Sequence, residues 1–210
     1  MQLIGEIMKN IVINHWMSII EKNKNYSKDK IEKIRYGLTG LYITISKLIT
    51  ITFLSIILGI FKEMITFLFI YNMLRMPSFG IHATKSWICL ITSIILFIGI
   101  PIICMNISLN IFVKIAVGII CCLLMYKNSP ADTKKRPIIN PKRRLTYKLI
   151  STFFSITFVI LSIILKNNYI SNCLIFALAL QNILISPTTY KIFKQPYNNY
   201  KHYLKSKTTH

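Results

Sequence analysis

The chain has 210 residues, 53% of them hydrophobic, and carries 26 Lys/Arg against 6 Asp/Glu for a formal net charge of +20. Its mean hydropathy is +0.53; with so few acids this excludes an ordinary soluble domain and points to lipid as the solvent. The positive charge suits nucleic acid in the abstract, but its placement along the chain argues for a membrane instead.

Residues 1–36 hold seven of the basic residues. Their apolar positions, Leu3, Ile4, Ile7, Met8, Ile11 and Ile19, can share one broad helical face, with Glu6, Asn10, Asn14, Ser18 and Glu21 opposite. A helix of that kind lies in a membrane interface or covers a partner's helix. No small-residue cleavage pattern follows an apolar core here, so no cleavable signal is expected. Gly37 and Gly40 are expected to open the first crossing, residues 40–61.

Four further blocks have the apolar length a crossing needs: residues 86–105, 107–126, 149–165 and 170–186. A helix takes roughly 17 to 25 residues to span the hydrocarbon core. Backbone groups in lipid must be bonded internally, and unbroken apolar runs favour helices over a barrel. A sixth block, residues 64–74, is too short alone. The expectation is an all-α polytopic integral membrane protein of about six transmembrane helices, with an interrupted second segment and an amphipathic N-terminal helix. Residues 1–210 form one membrane domain: a cytoplasmic-face segment (1–36), a transmembrane bundle (37–186) and a basic tail (187–210).

Eight basic residues fall in 127–148 and five in 187–210. Basic loops stay cytoplasmic, so six crossings with both termini inside place all three basic regions on one side, in a cell membrane. Such a surface also attracts anionic lipids or an acidic peptide. Lys47 and Lys114 sit inside crossings, where a charge faces a polar interior or reaches for the interface.

The stretch "RMPSFGIHATKSWICL", residues 75–90, interrupts this pattern. Pro77 lacks an N–H and Gly80 permits backbone shapes closed to other residues, so the second helix is expected to bend or end here. Arg75, His82 and Cys89 lie within or beside the break. On one straight helix His82 and Cys89 would share a face but stand about 10 Å apart, too far for proton transfer over roughly 3 Å. A dyad therefore requires His82 to sit on a turn folding back towards Cys89. Cys89 near a helix N-terminus gains thiolate character, and His82 supplies the base. The bland alternative is a packing cysteine beside an interfacial histidine. Cys104, Cys121, Cys122 and Cys173 read as small apolar packing residues. No Cys/His spacing fits zinc, and no metal or cofactor is expected. Apart from Asn72, no Asp or Asn is near enough to orient the histidine.

The spacing Arg75–x6–His82–x6–Cys89 resembles the signature of the AgrB accessory gene regulator proteins. So do "SPADTKKRPI" at 129–138, a basic loop at the same relative position, and, more weakly, "RYGL" at 35–38. Block number and order agree across essentially the whole chain. The resemblance implies a Gram-positive quorum-sensing membrane cysteine endopeptidase that cuts the acidic C-terminal tail from an AgrD-like propeptide through an acyl-enzyme and supports ring closure to a thiolactone or lactone. It casts Cys89 as nucleophile and His82 as base. Arg75, with Lys134, Lys135 and Arg136 of the basic loop, is auxiliary or substrate-binding. Membrane lipids and a second copy of the chain are the further partners it implies; nucleic acid is not among them. Two departures stand out: Phe79-Gly80 where the family often has Gly-Gly, and Thr39 where an acid is common. The alternative reading is a six-helix peptide transporter with Arg75 and His82 lining its path.

Overall fold

The computed structural model describes residues 2–23, 26–81, 86–133 and 137–208. The described residues form helices joined by short connections. These are α1 (Gln2–Asn23), α2 (Lys28–Ile57), α3 (Phe61–Ser78), α4 (Ser86–Ile94), a π segment (Ile95–Gly99) leading into α5 (Ile100–Asn106), α6 (Ile111–Asn128), α7 (Pro141–Ile164), α8 (Asn168–Ile185), α9 (Pro187–Ile192) and α10 (Asn199–Thr208). Five spans are long and apolar enough to cross a membrane: α2, residues 87–106 through the π segment, α6, α7 and α8. The chain is an all-α polytopic membrane protein.

A further helix, α3, falls outside that apolar group, with Lys62, Glu63 and Arg75 on it. Its 18 residues reach about 27 Å at 1.5 Å per residue. Met64, Phe67, Ile70, Tyr71 and Leu74 are buried on it, and it packs against α7 and α8. The sequence block looked too short because the helix begins earlier, at Phe61, with Lys62 and Glu63 in its first turn. There Tyr169 donates to the Glu63 carbonyl.

The π segment has a local cause. Pro101 cannot donate to the carbonyl four residues back and crowds it, and a widened turn is one way a helix absorbs such a defect. Phe97, within that turn, is buried, its ring 6.0 Å from Phe67 and 5.5 Å from Tyr71.

Small residues let α7 approach its neighbours. Ser151, Ser155 and Ser162 are buried along one face, and a methyl on Gly118 of α6 would meet Val159 at 2.7 Å. Helices in lipid, lacking a hydrophobic drive towards one another, associate through such close contacts.

Polar contacts define the two ends of the bundle. At one, Lys114 donates to Ser171 (2.7 Å), Ser171 to the Ser162 carbonyl, and Asn172 to the carbonyls of Cys104 and Ile107. At the other, the chain after α3 meets the loop after α6 and the C-terminal end of α8. Arg75 and Arg144 lie at this second end.

One expectation is corrected. The first helix past α1 does not open at Gly37 and Gly40 but runs unbroken through both from Lys28; isolated glycines lower helix propensity without ending a helix. In α1, Ile13 and Met17 are buried, while Ile7, Met8, Ile11 and Ile19 are exposed with Trp16. Asn14 of α1 accepts from Arg35 of α2 (3.0 Å).

Candidate active site

The break falls where residues 75–81 place it, with a shift in cause. Pro77 is carried inside the last turn of α3, and the helix ends one residue later, at Ser78. Phe79 has φ 58° and ψ −132°, and Gly80 has φ 113°. An L-residue held at such a φ costs of order 1–3 kcal/mol. The Phe79 ring packs edge-on to Tyr147 of α7 at 5.0 Å between centroids, a contact worth about 0.5–1.5 kcal/mol beyond burial. This contact offsets part of the cost of holding phenylalanine at a positive φ.

Arg75 wraps over this turn. Its Nη1 donates to the Phe79 carbonyl (2.6 Å), and its Nη2 to the carbonyls of Ile81 (2.6 Å) and Gly80 (3.3 Å). A methyl on Gly80 would lie 2.5 Å from Arg75 Nη1 and 3.1 Å from the Leu184 carbonyl. The Gly80 N–H donates to the Ala131 carbonyl (2.9 Å), the Ala131 N–H to the Ser78 carbonyl (3.0 Å), and the Ile81 N–H to Leu184 (3.2 Å). Phe79 and Ala131 form an isolated parallel bridge. From α8, Gln181 Nε2 donates to Ser78 Oγ (2.5 Å) and to the Phe79 carbonyl (2.8 Å). Every backbone N–H and C=O from Phe79 to Ile81 is thereby bonded.

His82 follows by one peptide bond but lies outside the described residues, as do Lys134, Lys135 and Arg136 of the basic loop. Cys89 is half-buried in the first described turn of α4 and is a free thiol. The other cysteines pack inside the bundle: Cys104, Cys121 and Cys173 are buried, and Ser155 donates to Cys122 Sγ at 3.2 Å. Asn72 donates to its own helix at the Leu68 carbonyl and is exposed. Thr39 likewise donates back to Arg35. Lys47 is half-buried along α2. Lys114, at the far end, shares no contact with the turn.

Sequence reasoning missed a second hub. Asp132, the only acid after Glu63, is 1% exposed. Its carboxylate accepts from the N–H groups of Asn199 (3.1 Å), Tyr200 (2.9 Å) and Ile138 (3.3 Å), so it caps α10 from across the fold. Arg144 Nη1 lies 3.9 Å from it, with the guanidinium 3.8 Å over the Tyr200 ring. The Tyr190 hydroxyl donates to the carbonyls of Ala131 and Asp132. Burial pushes that hydroxyl above its ordinary pKa, against the lowering pull of Arg75, so it remains a donor across the physiological range. A lone acid in so basic a chain was the available cue. Gln181, interrupting "IFALALQNILI", was another.

Residues 13–185 match the family described as Accessory gene regulator B (AgrB). A putative AgrB-like protein of Clostridium acetobutylicum is 28% identical over 183 residues, covering 86% of this chain and 88% of the relative. One from Listeria monocytogenes is 28% identical over 171 residues, covering 81% and 84%. Accessory gene regulator protein B of Staphylococcus epidermidis is 28% identical over 192 residues, covering 91% and 96%. No solved structure matches the chain. The family match starts within α1 and stops at the last residue of α8, so it takes in the whole bundle and the turn beneath it: the chain belongs to the accessory gene regulator B family.

Proposed function

We propose that this protein is a membrane cysteine endopeptidase that cuts the acidic C-terminal tail from an AgrD-like propeptide and supports ring closure of what remains. Cys89 Sγ attacks the scissile carbonyl while His82 takes the thiol proton. The C–N bond then breaks, His82 returns the proton to the departing amine, and the peptide stays on Cys89 as a thioester. An internal Cys or Ser of the propeptide attacks that carbonyl, closes the ring and gives its proton back to regenerate the Cys89 thiol. Thioester exchange is nearly balanced, so net progress depends on loss of the tail and on keeping water from the acyl-enzyme. A site at the membrane boundary helps with the second.

The observation that carries this reading is the saturated turn of residues 79–81. A chain that merely kinked would not need three carbonyls gripped by one half-buried arginine directly before a histidine. The basic segments support the choice of substrate, because a chain of +20 draws an acidic tail through long-range attraction. In this reading Lys134, Lys135 and Arg136 recruit the tail, and both termini and the 127–148 loop are cytoplasmic.

The test is coexpression with the propeptide and mass spectrometry of the released tail. Cys89→Ala should insert normally and release none; Cys121→Ala and Cys173→Ala should cut as wild type. Tail release by Cys89→Ala at the wild-type rate would end the proposal.

A further inference from the structure

We infer that Gln181, acting with Arg75, is a positioning residue for the histidine of this reaction; the inference rests on the cysteine–histidine reading above. Gln181 is 0% exposed within an otherwise apolar stretch of α8. A glutamine there is costly unless its amide is used, and among the described residues its carbonyl oxygen Oε1 has no hydrogen-bond partner. Only the Nε2 end is employed, and both its bonds go to the turn before His82. Two donors from two helices thus converge on the Phe79 carbonyl: Arg75 Nη1 at 2.6 Å and Gln181 Nε2 at 2.8 Å.

That carbonyl belongs to the residue with the unfavourable φ. A backbone conformation of this sort persists only where its surroundings over-determine it. Without the amide, the Phe79 peptide loses its tie to α8, and the Ile81–Leu184 bond at 3.2 Å is the remaining backbone link to that helix. His82 is the residue next after Ile81 in the sequence, so in this proposal the setting of the turn decides where the histidine starts. Arg75 grips the turn from α3 and Gln181 anchors it to α8. Removing either shifts the imidazole relative to Cys89 without touching substrate.

The experiment uses the full-length protein in lipid vesicles. Iodoacetamide labelling of Cys89 is followed by peptide mass spectrometry at pH 7 and pH 9, beside kcat and KM for tail release. In wild type, Cys89 should label at pH 7 faster than Cys122, and His82→Ala should abolish that advantage. Gln181→Met keeps the side-chain length and removes the donor. It should lower kcat by about 10-fold to 100-fold, the scale of a small misplacement, with KM within about twofold of wild type. Its pH 7 labelling of Cys89 should fall towards that of His82→Ala while the pH 9 rate is kept. Arg75→Lys, a point charge that cannot span three carbonyls, should show the same split. It also stands in should Gln181→Met fail to accumulate in the membrane. A Gln181→Met protein with wild-type kcat, or with lowered kcat and an unchanged ratio of pH 7 to pH 9 labelling, overturns the positioning role. If instead His82→Ala labels at Cys89 like wild type, the cysteine–histidine reading itself fails and the inference falls with it.

Discussion

Arg75 is where reading the chain and seeing its fold diverge most usefully. An arginine beside hydrocarbon needs a partner, and the sequence offers no acid nearby to serve. The partners are main-chain carbonyls of its own next few residues, which every sequence possesses and none advertises. Gly80 was legible as a break, but its second duty was not: it leaves room for the guanidinium. Gly80→Ala should therefore cost more than about 1 kcal/mol, because alanine is strained at positive φ and its methyl would press on Arg75. Both thermal stability in detergent and tail release should fall. Gly40→Ala, whose methyl would meet nothing within 4 Å, is the control and should be neutral or slightly stabilising. Cys89 was legible from its spacing to His82, whereas Gln181 needed the fold to bring α8 beneath the turn.

At the scale of elements, the apolar blocks predicted most passes because lipid demands unbroken apolar length. They misjudged α3, whose charges sit near its ends, and the start of α2, whose polar first turns carry no hydrophobic signal. The amphipathic reading of α1 did not say which of its residues would be covered; Ile13 and Met17 are the buried ones. Periodicity shows that a strip exists, while the partner helix decides which strip is covered. The most consequential element-level feature is the cap on α10. Asp132 supplies acceptors to two N–H groups at that helix start from 67 and 68 positions away. Asp132→Asn would turn an amide NH2 towards donors, leaving buried N–H groups unsatisfied at about 1–3 kcal/mol. We expect hydrogen exchange at Asn199, Tyr200 and Lys201 to accelerate while exchange in α3 and α8 stays slow. Equal protection in the variant would show that α10 is held by packing alone.

Across the whole molecule, burial is uneven. Ten residues of α8 are buried, yet only Ile51 and Ser55 on α2, so α8 forms an inner post and α2 turns most of its surface to lipid. With α3 counted as a crossing, six passes would bring α1, the 127–148 loop and α9–α10 to one end. We expect that end to face the cytoplasm by the positive-inside rule. A cysteine placed at Thr133 should resist an impermeant thiol reagent added outside intact cells; labelling there would reverse the orientation. The loop's charges can be tested apart from topology, since insertion is complete before substrate arrives. Replacing Lys134, Lys135 and Arg136 by glutamine leaves five basic residues in 127–148. The purified variant should show a raised KM, little change in kcat and a shallower salt dependence, the pattern of lost uniform binding through screened charge. Unchanged KM and salt dependence would leave these residues a topological role alone.

The turn before His82 also has a history within each molecule's synthesis. Its grip by Arg75 is local and can form as α3 enters the membrane. The Ala131 contact must wait for α6, and the Gln181 and Leu184 contacts for α8. Between Ser78 and Gln181 lie 103 positions, roughly 5–20 s of translation at about 5–20 residues per second. For most of that interval the nascent chain already carries Cys89 and His82, but not the Gln181 anchorage of the turn. Under the positioning role inferred for Gln181, a chain stalled or released before α8 lacks that anchorage, and full activity begins only once nearly the whole protein has been made.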